Sequence, residues 1–195
     1  MKRLKVNLSF LIVMLFSNNC IAQNEFENFS TNIFKFINKL NNQIDSFFVK
    51  EKAESLNRNL GYFKNDLDKY LKIRKTLLDY LNETAYKIPD KGEVKKTVSD
   101  LKSRLGKLGK RLNKIRPDVG ENLASDAEDI IDNIFQVQQS QRVRYLTELD
   151  YLIEGKKVDV EKLKKEGTSI YNELLKSVTL IGTVRTKLKT KFNLF

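Results

Sequence analysis

Residues 90–116 read DKGEVKKTVSDLKSRLGKLGKRLNKIR. Within them Val94, Val98, Leu101, Leu105, Leu108, Leu112 and Ile115 alternate steps of four and three. An α-helix turns about 100° per residue, so these seven side chains share one narrow face. The repeat is that of a heptad, and such a face needs helical neighbours. Asp90 followed by Glu93 has the form of a capping box, with Asp in place of the usual Ser or Thr. Arg116-Pro117 ends the helix, because a residue before proline avoids the α region.

The same periodicity extends in both directions. Upstream, Phe26, Phe29, Ile33, Phe36/Ile37, Leu40, Ile44 and Phe47 form one stripe, and Ser30 or Thr31 can cap a helix starting slightly later. Ala53, Leu56, Leu60, Phe63, Leu67, Tyr70/Leu71, Leu77/Leu78 and Leu81 form the next. The apolar phase shifts between them, which places a break near 49–54. Downstream, Leu123, Ala127, Ile130/Ile131, Ile134 and Val137 continue into Tyr145, Leu149 and Leu152. Gly155 suits the position just after a helix. Asp159 is placed to cap the last helix, with Val158 and Leu163 as a hydrophobic staple. That helix carries Val160, Leu163, Ile170/Tyr171, Leu174, Val178, Ile181, Val184 and Leu188. No segment alternates with period two long enough for a strand. The expected fold is all-α: an antiparallel bundle of four to five long helices, one domain over 26–195, with short links near 88–92, 116–120 and 154–159.

Composition excludes several chemistries. The 195 residues include no His, no Trp, one Cys, two Pro and eight Gly, with a formal charge of +11. The absence of His and the lone Cys exclude nearly every zinc site and every His-based triad. No glycine-rich phosphate loop is present. Catalysis by a carboxylate pair needs a cleft, and a narrow bundle is a poor one. The expectation is a non-enzyme without a cofactor or metal. Asp126, Glu128, Asp129 and Asp132 lack the glycine-turned loop of a calcium site and read as a solvated or hairpin-paired face.

The first residues read as an export signal. Met1-Lys-Arg-Leu-Lys5 is a positive head, and Val6–Phe16 is an apolar run too short to span a membrane. Two processing sites compete. Leu15-Phe16-Ser17-Asn18-Asn19-Cys20 has the form of a lipobox, which makes 1–19 the signal, Cys20 the lipid attachment point and 20–25 a short tether. Cys20-Ile21-Ala22 instead offers cleavage before Gln23. Either way a disulfide-stapled fold is excluded. Loss of Lys2, Arg3 and Lys5 leaves 33 basic against 25 acidic residues.

An Asn-Asn-Cys signal end, followed by a Lys/Asn/Ile/Leu/Phe-rich helical body with no other Cys, resembles the helical outer-surface lipoproteins of borrelial spirochaetes. The specific part of the resemblance covers Leu15–Cys20; the rest is similarity of class. It implies surface display and binding of host proteins, either complement or extracellular-matrix components, or of glycosaminoglycans. The Gln23 alternative resembles a soluble exported protein.

Function is expected in the charge. Residues 90–116 carry ten basic and three acidic side chains. Arg104–Arg116 precede Asp118, Glu121, Asp126, Glu128, Asp129 and Asp132, so a hairpin would set basic turns against acidic ones, each exposed pair being worth about 0–1 kcal/mol. Lys91, Lys95, Lys96 and Lys102 lie farther from those acids and are the expected contacts for a polyanion or partner. Gly106 and Gly109, with Ser99, Ser103 and Asn113, make one flank small, for a neighbouring helix or a shallow groove. Phe34 and Phe48 lie at the edge of the first stripe, where a membrane interface competes with the core. The terminal Phe192–Phe195 is apolar, and either docks on the bundle or stays exposed. Two functions follow. One is a lipid-anchored surface protein binding a host extracellular protein or sulfated glycan, touching the membrane only through its lipid and not binding nucleic acid. The other is a periplasmic chaperone-like or scaffold protein, which a continuous helix over 26–86 would favour.

Overall fold

A computed structural model describes residues 29–47, 49–83, 90–139 and 144–194. The leader, Cys20, the tether, Phe26, Phe48 and Phe195 lie outside them. Helix α1 covers 29–43, α2 Lys50–Glu83, α3 Lys91–Ile115, α4 Glu121–Gln139, α5 Arg144–Ile153 and α6 Val160–Phe192. No strand occurs among the described residues. The expected all-α bundle is observed, with α2, α3, α4 and α6 as its long members. The stripe that ran from Leu123 to Leu152 is divided between α4 and α5.

Contacts at known heights fix the topology. Tyr80 at the end of α2 donates to Glu93 at the start of α3, while Asn59 donates to the Lys114 carbonyl, so α2 and α3 are antiparallel. Gly109 faces Ile134 and Arg116 pairs with Glu128, so α4 returns antiparallel to α3. Arg185 donates to Asn57, which sets α6 antiparallel to α2. α1 runs alongside α6, from Ser30 and Thr31 on Glu173 to Ile44 beside Lys191. It also meets α4 through Lys39 and Asp126. α5 packs Leu149, Leu152 and Ile153 against Leu77, Leu81 and Val94 at the opposite end.

The break between α1 and α2 falls at 44–49, a few residues before the expected position. Ile44–Ser46 form a 3-10 turn and Phe47 is extended. The cause is remote in sequence. Lys191 donates to the Ile44 carbonyl (3.1 Å), which also accepts from Phe47 N, and to the Asp45 carbonyl (2.7 Å), adding partners at the helix end. The same turn keeps Ile44 buried.

Other caps follow the sequence more closely. Asp90 accepts from Gly92 N at 2.7 Å, and Asp159 from Lys162 N at 3.0 Å. The box at Asp90 does not close, because Glu93 accepts from Tyr80 at 2.8 Å instead. Gly155 takes φ +77°, and Lys156 N and Gly155 N bond Tyr151 O and Leu152 O, a Schellman end for α5. Asn193, at φ 52°, ends α6 and turns Leu194 into a buried position, so the tail docks.

The core is a continuous column of these stripes, with Ser30, Asp66, Arg74 and Ser177 as buried polar residues among those described, Arg74 the largest. Arg74 is 1% exposed, and its Nη1 donates to the Tyr70 hydroxyl at 3.1 Å. Burial pushes the Tyr70 phenol above its ordinary value near 10, with Arg74's charge and hydrogen bond pulling weakly the other way. Because the folded-state value is the higher one, this stabilisation is complete below the unfolded value and is lost as pH rises through the folded value. Tyr70→Phe is expected to retain stability between pH 9 and 11 better than the wild type. Guanidinium unfolding midpoints at the two pH values measure it; equal alkaline losses would mean that Tyr70 does not carry the effect.

Candidate anion-binding face of α3

The heptad of α3 decides which lysines meet solvent. Val94, Val98, Leu101, Leu105, Leu108, Leu112 and Ile115 are all buried. Opposite them, at about 100° per residue, lie Lys96, Ser99, Ser103, Lys107, Lys110 and Lys114, with the acid Asp100 at the edge of the row between Lys96 and Lys107; all seven are exposed. The side chains of Lys96, Lys107, Lys110 and Lys114 make no ion pair or hydrogen bond among the described residues. From Lys96 to Lys114 the row is about 27 Å long at 1.5 Å per residue.

The four lysines singled out by sequence do not share this row. Lys91, Lys95 and Lys102 fall within about 40° of one another on the α5 side, and Lys96 is turned about 100° from Lys95. Lys91 and Lys95 are exposed, while Lys102 is half-buried and has polar contacts of its own. Lys95 lies close enough to Glu154 to help hold its carboxyl below the usual range. The larger cause there is the Lys156 hydrogen bond and ion pair at 2.6 Å. Part of the positive potential on this flank is thereby offset.

The hairpin pairing expected for Arg104–Arg116 is realised only in part. Arg116 pairs with Glu128 at 3.1 Å. Arg111 turns the other way, to Asp66 of α2 at 2.8 Å, and its guanidinium lies 5.0 Å from the Tyr62 ring centroid. Lys107, Lys110 and Lys114 are left facing water. Their row was detectable in the sequence by projecting each lysine on the heptad rather than counting charges along the chain.

The small flank of α3 divides as well. Gly109 is buried, and a Cβ there would meet Ile134 Cγ2 at 3.4 Å, so α4 approaches closely at this level. Gly106 is half-buried, while Ser99, Ser103 and Asn113 are exposed. Phe29 and Phe36 belong to the core, Phe34 is half-buried and Phe47 packs against the core.

The remaining concavities are modest. A polar groove of 510 Å³ lies between the start of α1 and α6, where Glu173 accepts from Ser30 (2.6 Å) and Thr31 (2.9 Å). An apolar gap under α5 has room for about one water. In the acidic cluster, Asp126 is held by Lys39 and Glu128 by Arg116. No group of three or more acidic or thiol side chains suited to a metal occurs among the described residues. No helix there is long and apolar enough to cross a membrane.

Fold and surface together define an all-α bundle with a row of lysines on one helix that have no partner among the described residues, and with exposed acids on the next. No protein family, curated protein or solved structure matches the chain.

Proposed function

We propose that the protein is an exported, non-catalytic binding protein that holds a polyanion along the outer row of α3. The polyanion is a sulfated glycan or an acidic surface of an extracellular host protein. The observation that carries this reading is the alignment of Lys96, Lys107, Lys110 and Lys114, exposed and without anionic partners among the described residues. Such a row attracts a line of negative charge at little desolvation cost and loses its hold as salt rises. In this reading the leader exports the chain, and Cys20 anchors it to the outer surface through lipid. The break at 44–49 takes away the continuous rod that favoured a periplasmic chaperone.

Heparin-column retention tests the row. With roughly 1 kcal/mol for each lysine near a dense anionic surface, removing four weakens binding roughly a hundredfold to a thousandfold at low salt. Substitution of Lys96, Lys107, Lys110 and Lys114 by Ala is therefore expected to shift elution to much lower salt. Substitution of Lys91, Lys95 and Lys102 is expected to shift it less. Unchanged retention of the fourfold variant would remove the row as the binding site. Protease treatment of intact cells, with a periplasmic protein as control, tests surface display separately.

A further inference from the structure

The α3/α4 face carries both halves of an electrostatic match. Lys110 and Lys114 project from α3 and Glu128 and Asp132 from α4, all four exposed. Gly109 is level with Ile134 and Arg116 with Glu128, so these lysines stand at the same heights as those acids. Phe135, 57% exposed, is turned about 100° from buried Ile134, onto the flank that carries Glu128 and Asp132. A solvent-facing phenylalanine beside these charges has the composition of an interface centre.

We propose that this face binds a second copy of the chain as an isologous dimer, with its two-fold parallel to the helix axes. Charge complementarity selects that axis. A two-fold perpendicular to the helices would lay α3 on α3 and oppose lysine with lysine. The parallel two-fold lays α3 on α4 of the second copy and keeps every residue at its own height. Lys110 and Lys114 then meet Asp132 and Glu128 of the other copy. Each Phe135 then lies within about one turn, in height, of Gly106 of the other copy. The dimer needs no added ligand, but it takes Lys110 and Lys114 from the row assigned above to a polyanion, so polyanion and second copy compete for these two lysines.

Sedimentation equilibrium of the purified protein, without polyanion, is the test. The wild type is expected to dimerise in the micromolar range at low salt. Phe135→Asp is expected to weaken dimerisation roughly a hundredfold while leaving helical circular dichroism unchanged. The double variants K110E/K114E and E128K/D132K are each expected to be monomeric alone and to form a mixed dimer when combined, since each supplies the charge that the other has reversed. A wild type that stays monomeric at 100-fold higher concentration (of the order of the range usual for weak interfaces) overturns the proposal. So does a dimer that survives both Phe135→Asp and the charge reversals. A monomer whose Phe135 instead becomes protected on anionic lipid vesicles overturns it too, and gives the face to a membrane.

Discussion

Arg74→Ala is expected to lower folding stability by about 3–5 kcal/mol, although no charged partner is lost from the surface. Arg74 is 1% exposed and donates to the Tyr70 hydroxyl, with its guanidinium carbon 5.8 Å from the Tyr70 ring centroid. It also takes part in further polar contacts. Truncation removes the long apolar stem that packs the column and strands the hydroxyl without its donor. A buried polar group left unsatisfied costs about 1–3 kcal/mol, and the cavity adds to it. The melting temperature should fall by about 6–20 °C for a chain of this size. Two companions separate the causes. Arg74→Met keeps most of the volume and isolates the polar part. Arg74→Met with Tyr70→Phe removes the donor and the hydroxyl together and is expected to recover much of the loss, since replacing both partners approaches neutrality. Urea unfolding of the three variants gives the values. A cost below about 1 kcal/mol for Arg74→Ala would mean that solvent reaches the guanidinium.

Arg74 also shows where the sequence was readable and where it was passed over. The stripe of α2 goes from Tyr70 to Leu77 and Leu81, and a residue at 74 completes the four-three-four step. A basic residue there stands on the apolar face, yet in the run Lys72–Lys75 it looks like one more surface charge. The heptad of α3 had no such intrusion, and every one of its seven apolar positions is buried. Periodicity is a local property, so it specified helices, faces and the caps at Asp90 and Asp159.

What local pattern could not carry was any decision made by a distant residue. The end of α1 is set by Lys191, nearly 150 residues away in sequence. The box at Asp90 stays open because Tyr80 competes for Glu93. Arg111 leaves the α3/α4 hairpin to pair with Asp66 of α2. The lysine row suffered from a different error: neighbours in sequence were treated as neighbours in space. Lys95 and Lys96 are adjacent in the chain but diverge by about 100° around the helix, so a linear block of charge became two surfaces.

The position of α1 bears on how the protein meets a membrane, and Phe36→Ala tests it. Phe29, Ile33, Phe36, Ile37 and Leu40 are each at most 1% exposed within the bundle. The helix is tied down by Lys39 on Asp126, by Ser30 and Thr31 on Glu173, and by Lys191 on its last turn. A helix lying in a membrane interface would keep that apolar face for lipid and contribute little to stability in water. A helix closing the core loses both transfer energy and packing when a buried aromatic is cut back, so Phe36→Ala is expected to cost about 3–5 kcal/mol in lipid-free solution. Lys35 and Lys39 are exposed on the same helix, which offers a second readout. Loss of Phe36 should loosen α1 before the rest unfolds, and trypsin should then cut at these lysines under native conditions much faster than in the wild type. A variant with unchanged urea midpoint and unchanged cleavage would mean that α1 is not part of the folded core, and the interfacial role would return. The expected loss instead keeps Phe29 and Phe36 of α1 for the bundle.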